Sequence, residues 1–211
     1  MIVNENITAY INSLEPDGPV WLENLRTHAE DSGVPIIRRE MEPFIRVLMT
    51  LHHLENILEI GTAIGYSSLF MAECDNDVHI TTIENYEPRL QEARTNLKDR
   101  DNIRLLEGDA AVLIKELKGP YDMIFLDAAK GQYITMLPDL LRLMKKGSIL
   151  LADNVLQDGE LIRSRYITPR RQRTIHSRMR EFIWEVKHNE SLCTSLISIG
   201  DGVVLCVKTK D

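Results

Sequence analysis

Five short apolar runs constrain this chain most: each closes on a glycine or an acid, and each but the last leads directly into a helix-forming stretch. They are 56–60 ending at Gly61, 78–83 ending at Glu84, 103–106 ending at Gly108-Asp109, 121–126 ending at Asp127, and 148–152 ending at Asp153-Asn154. Between them lie a helix built on Tyr66, Leu69, Phe70 and Ala72, and helical stretches over 88–98, 110–117 and 132–144. Strands alternating with helices predict βαβ units and a parallel sheet. Apolar runs without alternation fit strands covered on both faces. After Asn154 come a long polar stretch and a helix from about 169 to 187. The last β-rich runs, 193–199 and 203–208, flank Gly200-Asp201-Gly202, which predicts an antiparallel hairpin. Upstream, 4–14, 20–31 and 39–51 carry apolar residues at helical spacing, separated by Pro16-Asp17-Gly18-Pro19 and Gly33-Val34-Pro35. The expected fold class is α/β: a doubly wound, mostly parallel seven-stranded sheet with an antiparallel C-terminal hairpin and N-terminal helices over 1–55. No composition break divides the 211 residues, so one domain over 1–211 is expected.

An apolar fraction of 44% excludes disorder as the main description. A net charge of −7 argues against nucleic-acid binding, but the charge is uneven. From Arg163 to Arg180 there are seven arginines and no acid, which leaves −14 on the other 193 residues. No apolar run reaches the ~18 residues of a membrane span, so no membrane partner is expected. Residues 1–14 lack the basic start and apolar stretch of a signal peptide. Cys74, Cys193 and Cys206 are odd in number and lie in apolar contexts, so they read as buried thiols of a reducing compartment. A cytoplasmic location follows as the expectation.

Ligands of open α/β sheets bind at the carboxyl ends of the strands. Here those ends carry Glu59-Ile60-Gly61, Glu84, Gly108-Asp109, Asp127 and Asp153-Asn154. Glycines at 61 and 65 let backbone approach a ligand at a helix start, although E-x-G-x-x-x-G also suits a plain tight turn. Glu84, about 25 residues after the first strand end, is placed to accept hydrogen bonds from two ribose hydroxyls. Gly108-Asp109-Ala110 could meet an adenine ring. Asp127, Asp153 and Asn154 offer hard oxygens, which suit Mg²⁺ or Ca²⁺ better than Zn²⁺. Lys130 follows Asp127 by three residues; beside a cation its pKa should fall, making it a general base.

Leu-Glu-Ile-Gly61-Thr-Ala-Ile-Gly65-Tyr-Ser-Ser, Phe-Leu-Asp127-Ala-Ala-Lys130 and Leu-Ala-Asp153-Asn154-Val together resemble the cation-dependent O-methyltransferases that use S-adenosylmethionine, the group of catechol and caffeoyl-CoA O-methyltransferases. The resemblance runs from about Ile36 to the last strand. It implies a Rossmann-like methyltransferase fold and two cofactors, S-adenosylmethionine and Mg²⁺. Gly61 and Ser67 would hold the cofactor's amino-acid end, Glu84 its ribose, and Asp109 with Ala110 its adenine. Ile37 matches a cofactor contact by position only, and Asp127 is counted with the cofactor set as well. Asp127, Asp153 and Asn154 would bind the metal, with Lys130 as the base. A homodimer is also implied, for which Trp21 and Leu25 of the N-terminal helices could supply apolar area.

The substrate expectation rests on arginine. Aromatic residues are only 6% of the chain, whereas the stretch after Asp153-Asn154 holds Arg163, Arg165, Arg170, Arg171 and Arg173. Forked guanidinium contacts suit phosphate. Arg38 and Arg39, near the cofactor mouth, and Arg165, Arg170, Arg171 and Arg173 are the expected RNA contacts; a solvated helix start is the alternative for the arginine-rich stretch. The stretch Arg38-Arg39-Glu-Met-Glu-Pro-Phe and the arginine-rich insertion resemble the bacterial tRNA 5-hydroxyuridine methyltransferases of this group. That resemblance implies tRNA as substrate, methylated at a wobble 5-hydroxyuridine to 5-methoxyuridine. A small-molecule catechol-type enzyme and a non-catalytic RNA binder are the alternatives.

Overall fold

The computed structural model describes residues 3–164, 166 and 168–211. The chain divides into two compact units, Glu5–Ala110 and a second carrying Ala111–Asp211. Among the described residues there are seven strands and eight α-helices.

The first unit opens with three helices, α1 (Glu5–Ser13), α2 (Val20–Asp31) and α3 (Met41–His52). Strand β1 (Asn56–Ile60), helix α4 (Tyr66–Cys74), strand β2 (His79–Glu84), helix α5 (Glu87–Leu97) and strand β3 (Ile103–Glu107) follow. The three strands are parallel in the order β3-β2-β1, with Ile60 opposite Ile83 and Glu84 opposite Glu107. This register brings Gly61, Glu84 and Gly108 to one edge. Four of the five β1 residues are buried, as an apolar strand covered on both faces should be. Helix α4 is buried from Tyr66 through Ala72, which explains why its apolar residues show no stripe. Helix α1 differs: it buries no residue, and Ile7, Tyr10, Ile11 and Leu14 stay open to solvent.

Helix α6 (Ala110–Glu116) begins at the unit boundary. The second unit continues with β4 (Tyr121–Leu126), α7 (Tyr133–Arg142), β5 (Met144–Ala152), α8 (Arg173–His188), β6 (Leu192–Ile197) and β7 (Val203–Lys208). Its strands run β4-β5-β7-β6. β4 and β5 are parallel, whereas β7 is antiparallel to both β5 and β6. The hairpin expected around Gly200-Asp201-Gly202 is therefore present. Gly202 has φ +86°, and a Cβ there would lie 2.4 Å from Leu156 Cγ. Glycine thus lets the hairpin close onto the loop after Asn154, where Val155 N–H donates to Gly202 O and Leu156 N–H to Asp201 O, each at 2.9 Å.

The largest boundary differences from expectation are at the starts of β5 and α8. β5 begins at Met144, not 148, because Met144 pairs with Tyr121 and Ser148 Oγ ties the two strands, donating to Tyr121 O at 2.7 Å. α8 begins at Arg173, because a 3-10 turn over Arg170–Gln172 precedes it. The cysteine reading also needs correction. Cys206 is buried, but Cys74 is half-buried and Cys193 is exposed, since β6 is the sheet's edge and alternates inward and outward. None of the described helices is long and apolar enough to cross a membrane.

Candidate active site

The first unit assembles one half of the expected residues at the ends of its strands. Gly61 (φ +106°) and Gly65 (φ +90°) bracket the turn from β1 into α4. A Cβ at Gly65 would meet Leu97 Cδ2 at 3.0 Å, so this turn packs directly on α5. Gly61 N–H and Thr62 N–H both donate to Ile83 O, at 3.0 and 3.2 Å. The turn delivers α4 with its first-turn N–H groups unpaired within the helix, the usual anion seat of this strand–helix geometry.

Ser67 sits in the first turn of α4. Its hydroxyl points inward and donates to Glu59, which leaves its backbone N–H and the hydroxyl oxygen's lone pairs for a ligand. Ser68 also donates to Glu59, and Thr82 Oγ1 donates to it at 2.5 Å. Glu59 is wholly buried. It is thus a carboxylate knot joining β1, β2 and the start of α4, a residue that spacing alone does not single out. Its partners stand eight, nine and 23 positions away.

Glu84 sits at the end of β2, as expected. Its Oε2 accepts from Ala63 N–H, and its Oε1 from Asn85 N–H and Tyr86 N–H, all at 2.9 Å. A carboxylate has about four lone-pair sites, so about one remains for a ribose hydroxyl in this conformation. Asp109 is exposed beyond β3, and Ala110 opens α6 almost fully buried.

Ile37 is buried, and its carbonyl is held by Arg26 Nη2 at 3.1 Å. Arg26 is itself only 4% exposed. It donates to Tyr66 Oη at 3.1 Å and pairs closely with Glu42, to which Tyr66 Oη donates at 2.6 Å. Burial, reinforced by Glu42, pushes the Tyr66 phenol well above its ordinary range. This network ties α2, α3 and the start of α4 to the Ile37 segment. Arg39 does not present a free fork: both its terminal nitrogens donate to Glu23, at 3.2 and 2.5 Å. Arg38 is half-buried and has interactions of its own.

The second unit holds the other half. Leu126 and Ala152 are register partners in adjacent parallel strands, so the residues after them, Asp127 and Asp153, emerge side by side. Lys130 Nζ donates to Asp127 Oδ1 at 2.9 Å and to Tyr133 Oη at 3.3 Å. Tyr133 is fully buried; its Oη donates to Leu126 O at 3.0 Å and accepts from Ala128 N–H at 3.1 Å. Its ring meets Phe182 of α8 edge-on, with centroids 5.4 Å apart. Tyr133 thus fixes both the Asp127 loop and the Lys130 amine. Only its spacing from Lys130, one helical turn, hinted at that.

Asp153 is 3% exposed, and its Oδ1 accepts from Asn154 N–H at 2.6 Å. Burial first, then the negative charge of Asp127, pushes the Asp153 carboxyl up to about 7, against the pull of Lys130. Asp201, in the hairpin turn, adds further negative charge from a buried position. Asn154 adopts φ +62°, a left-handed conformation that asparagine tolerates better than most residues. No three His, Cys, Asp or Glu side chains are grouped to hold a metal among the described residues. The expected donors are instead two acids and one amide. Two acids so close that one resists ionisation fit a hard divalent cation, which would relieve that repulsion.

The expected fall in the Lys130 pKa is not found in the chain by itself. Burial pulls it down, but Tyr133 and Asp127 outweigh burial and hold the amine above its ordinary value. The neighbours of the amine within the chain are Asp127 and Tyr133, whereas the expected fall is for the amine beside a bound cation.

The arginine-rich stretch sorts into two kinds. Arg163 pairs with Glu160 at 2.8 Å, Arg173 donates to the carbonyls of Thr168 and Tyr166, and Arg178 donates to Gly131 O. These three are spent on the fold. Arg170, Arg171 and Arg180 are exposed and have no hydrogen-bond or ion-pair partner among the described residues. Arg165, also expected to contact RNA, lies outside the described residues.

The O-methyltransferase family model matches residues 13–209. A catechol O-methyltransferase of Niastella koreensis is 32% identical over 75% of this chain and 76% of its own. Caffeoyl-CoA O-methyltransferase 2 of Populus trichocarpa is 29% identical over 89% of this chain and 76% of its own. The crystal structure of a putative caffeoyl-CoA O-methyltransferase from Staphylococcus aureus superimposes with a TM-score of 0.89 and 32% identity, covering 97% of this chain and all of that one. The Podospora anserina methyltransferase PaMTH1, solved with SAH bound, gives a TM-score of 0.85 at 25% identity over 99% of this chain and 97% of that one. The seven-stranded, mostly parallel Rossmann-like methyltransferase fold expected from the alternating runs is the one found. The chain belongs to the O-methyltransferase family.

Proposed function

We propose that this protein transfers a methyl group from S-adenosylmethionine to the 5-hydroxyl of a 5-hydroxyuridine at the tRNA wobble position, giving 5-methoxyuridine. The observation that carries the RNA reading is the set of exposed, unpartnered guanidiniums at Arg170, Arg171 and Arg180, in a stretch without acids that follows the Asp153-Asn154 loop. An anticodon-loop base is already unpaired, so its presentation to an enzyme costs little.

In the first unit, the backbone N–H groups at the start of α4 would take the cofactor's carboxylate and Glu84 its ribose. Asp109 and Ala110 would border its adenine. S-adenosylmethionine would supply an activated methyl, passed from its sulfur to the acceptor oxygen. In the second unit, Asp127, Asp153 and Asn154 would hold Mg²⁺, which acidifies and orients vicinal oxygens such as the 5-hydroxyl and 4-carbonyl of the base. Lys130 Nζ takes the hydroxyl proton, and Tyr133 Oη keeps that amine in place. Lys130 is protonated while Asp127 serves it alone; engagement of Asp127 elsewhere withdraws that support and frees the amine to act as base. We further propose a homodimer and a cytoplasmic location, where the exposed apolar stripe of α1 and Trp21 would supply contact area.

Mass spectrometry of tRNA nucleosides from cells lacking the gene tests this. Loss of 5-methoxyuridine with accumulation of 5-hydroxyuridine is the expected result, and an unchanged profile refutes it. The Niastella relative supports a second reading, methylation of small vicinal diols, which the purified enzyme with labelled cofactor and Mg²⁺ would then reveal.

A further inference from the structure

Beside the loop that carries Asp153 and Asn154 lies an open groove of about 370 Å³, with Leu156, Leu161 and Leu196 among the residues of its floor and walls. Helix α8 forms one side with Arg180, Trp184 and Lys187, spaced i, i+4 and i+7 and so on one face. Trp184 is 60% exposed, unusual for so large an apolar ring. One face of its indole is already covered: the His188 imidazole stacks on it, with centroids 4.2 Å apart and planes 16° from parallel. His188 Nδ1–H donates to Trp184 O at 2.7 Å, which fixes that ring in place. Lys187 Nζ is held at the rim by Thr194 O at 2.9 Å. Arg180 has no partner among the described residues and is free to contact a ligand. Among the described residues no acid lines the groove.

A rigid aromatic face beside unpaired cations is how proteins bind single-stranded nucleic acid: bases stack on the ring while basic side chains follow the phosphates. A second copy of this chain, which exposes Tyr10, Tyr86 and Tyr166, is the competing occupant, and the dimer arm of the test below separates it from RNA. We propose that Trp184 is a stacking platform for an unpaired base of the tRNA anticodon loop, and that Arg180 and Lys187 contact the adjoining phosphates. This rests on the tRNA reading above and adds to it a specific surface outside the methyl-transfer residues.

Binding of an anticodon stem-loop RNA, measured against salt for the full-length protein, tests the proposal. Trp184→Ala should weaken binding about five-fold or more, the loss expected when one stacked base goes. Trp184→Phe should retain most of the affinity, and binding of the same stem closed without unpaired bases should be unaffected by either change. Arg180→Ala should lower the salt slope by about 0.7. S-adenosylmethionine binding by each variant checks that it is folded. If Trp184→Ala, folded by that check, binds the stem-loop like the unaltered protein, the platform is refuted while the tRNA reading stands. If instead Trp184→Ala only converts a dimer to monomers in sedimentation, the groove is a subunit contact and the platform is again refuted. If the unaltered protein binds no stem-loop at any salt, the tRNA reading itself fails and the platform with it.

Discussion

Replacing Arg26 by alanine should be among the most damaging single changes outside the chemistry, and the structure lets the loss be worked out. Arg26 is 4% exposed and makes three internal contacts: Glu42, Tyr66 Oη at 3.1 Å and Ile37 O at 3.1 Å. Truncation leaves Glu42, 8% exposed, with the Tyr66 hydroxyl as its remaining hydrogen bond and Arg39 as a more distant cation. Breaking a buried pair by removing one partner costs about 3–5 kcal/mol. For a chain of this size each kcal/mol moves Tm by about 2–4 °C, so a fall of roughly 6–20 °C is expected. The ion pair to Glu30 contributes little: it spans 3.4 Å and Glu30 is 62% exposed, so Glu30→Ala should change stability by less than about 0.5 kcal/mol. Thermal unfolding followed by circular dichroism reads all of these. The double variant Arg26→Leu/Glu42→Leu removes both charges and should recover part of the loss, because no buried charge is left unpaired, while Tyr66 Oη and Ile37 O lose their partners. Because Arg26 also anchors Ile37, Arg26→Ala should raise the KM for S-adenosylmethionine more than it lowers kcat. An Arg26→Ala loss under 1 kcal/mol, or a double variant no better than the single, would show that the buried charge does not hold this layer together.

Arg170→Ala/Arg171→Ala should reduce tRNA methylation and flatten its salt dependence by a slope of about 1.4 to 1.8 while sparing a free vicinal diol; equal loss of both activities would refute phosphate contact. Tyr133→Phe removes the hydroxyl that holds Lys130 Nζ at 3.3 Å and should lower kcat with little effect on KM, whereas Lys130→Met should abolish turnover yet leave S-adenosylmethionine binding intact. Thiol reagents should modify Cys193 first, being exposed. Cys206 should lag at pH 8 and gain on it only as pH climbs toward 11, because burial pushes its thiol up to about 11 and leaves little thiolate below that.

The elements legible in the chain were those whose signals are local. β1, β4 and β7 have the limits that their apolar runs and flanking turns predict. β5 outran its apolar core because its first residues are strand only by pairing with Tyr121, a partner 23 positions away that composition does not announce. The site divides in the same way. The position of each acid followed from strand ends, because a parallel sheet delivers its carboxyl ends to one edge whatever the side chains do. The state of each group did not follow, since it depends on neighbours distant in sequence. Ser67 turns inward because Glu59 is buried beneath it, and Arg39 is consumed by Glu23 from another helix.

Lys130 shows why that distinction matters for chemistry. Its place beside Asp127 is local and was readable at a spacing of three residues. The sign of its pKa shift is not readable from that spacing, because it is the balance between burial, which favours the free amine, and Tyr133 with Asp127, which favour the ammonium. One of the groups that keep Lys130 protonated, Asp127, is also offered to a cation, so metal occupancy and base strength are coupled through one carboxylate. Asp127→Asn separates them. It removes a charge that supports the ammonium, so Lys130 should lose its proton at lower pH, and it also weakens the donor set. If Asp127→Asn kept full activity at limiting Mg²⁺, the carboxylate would not be the link between the two, and Lys130 would owe its working state to Tyr133 and burial alone.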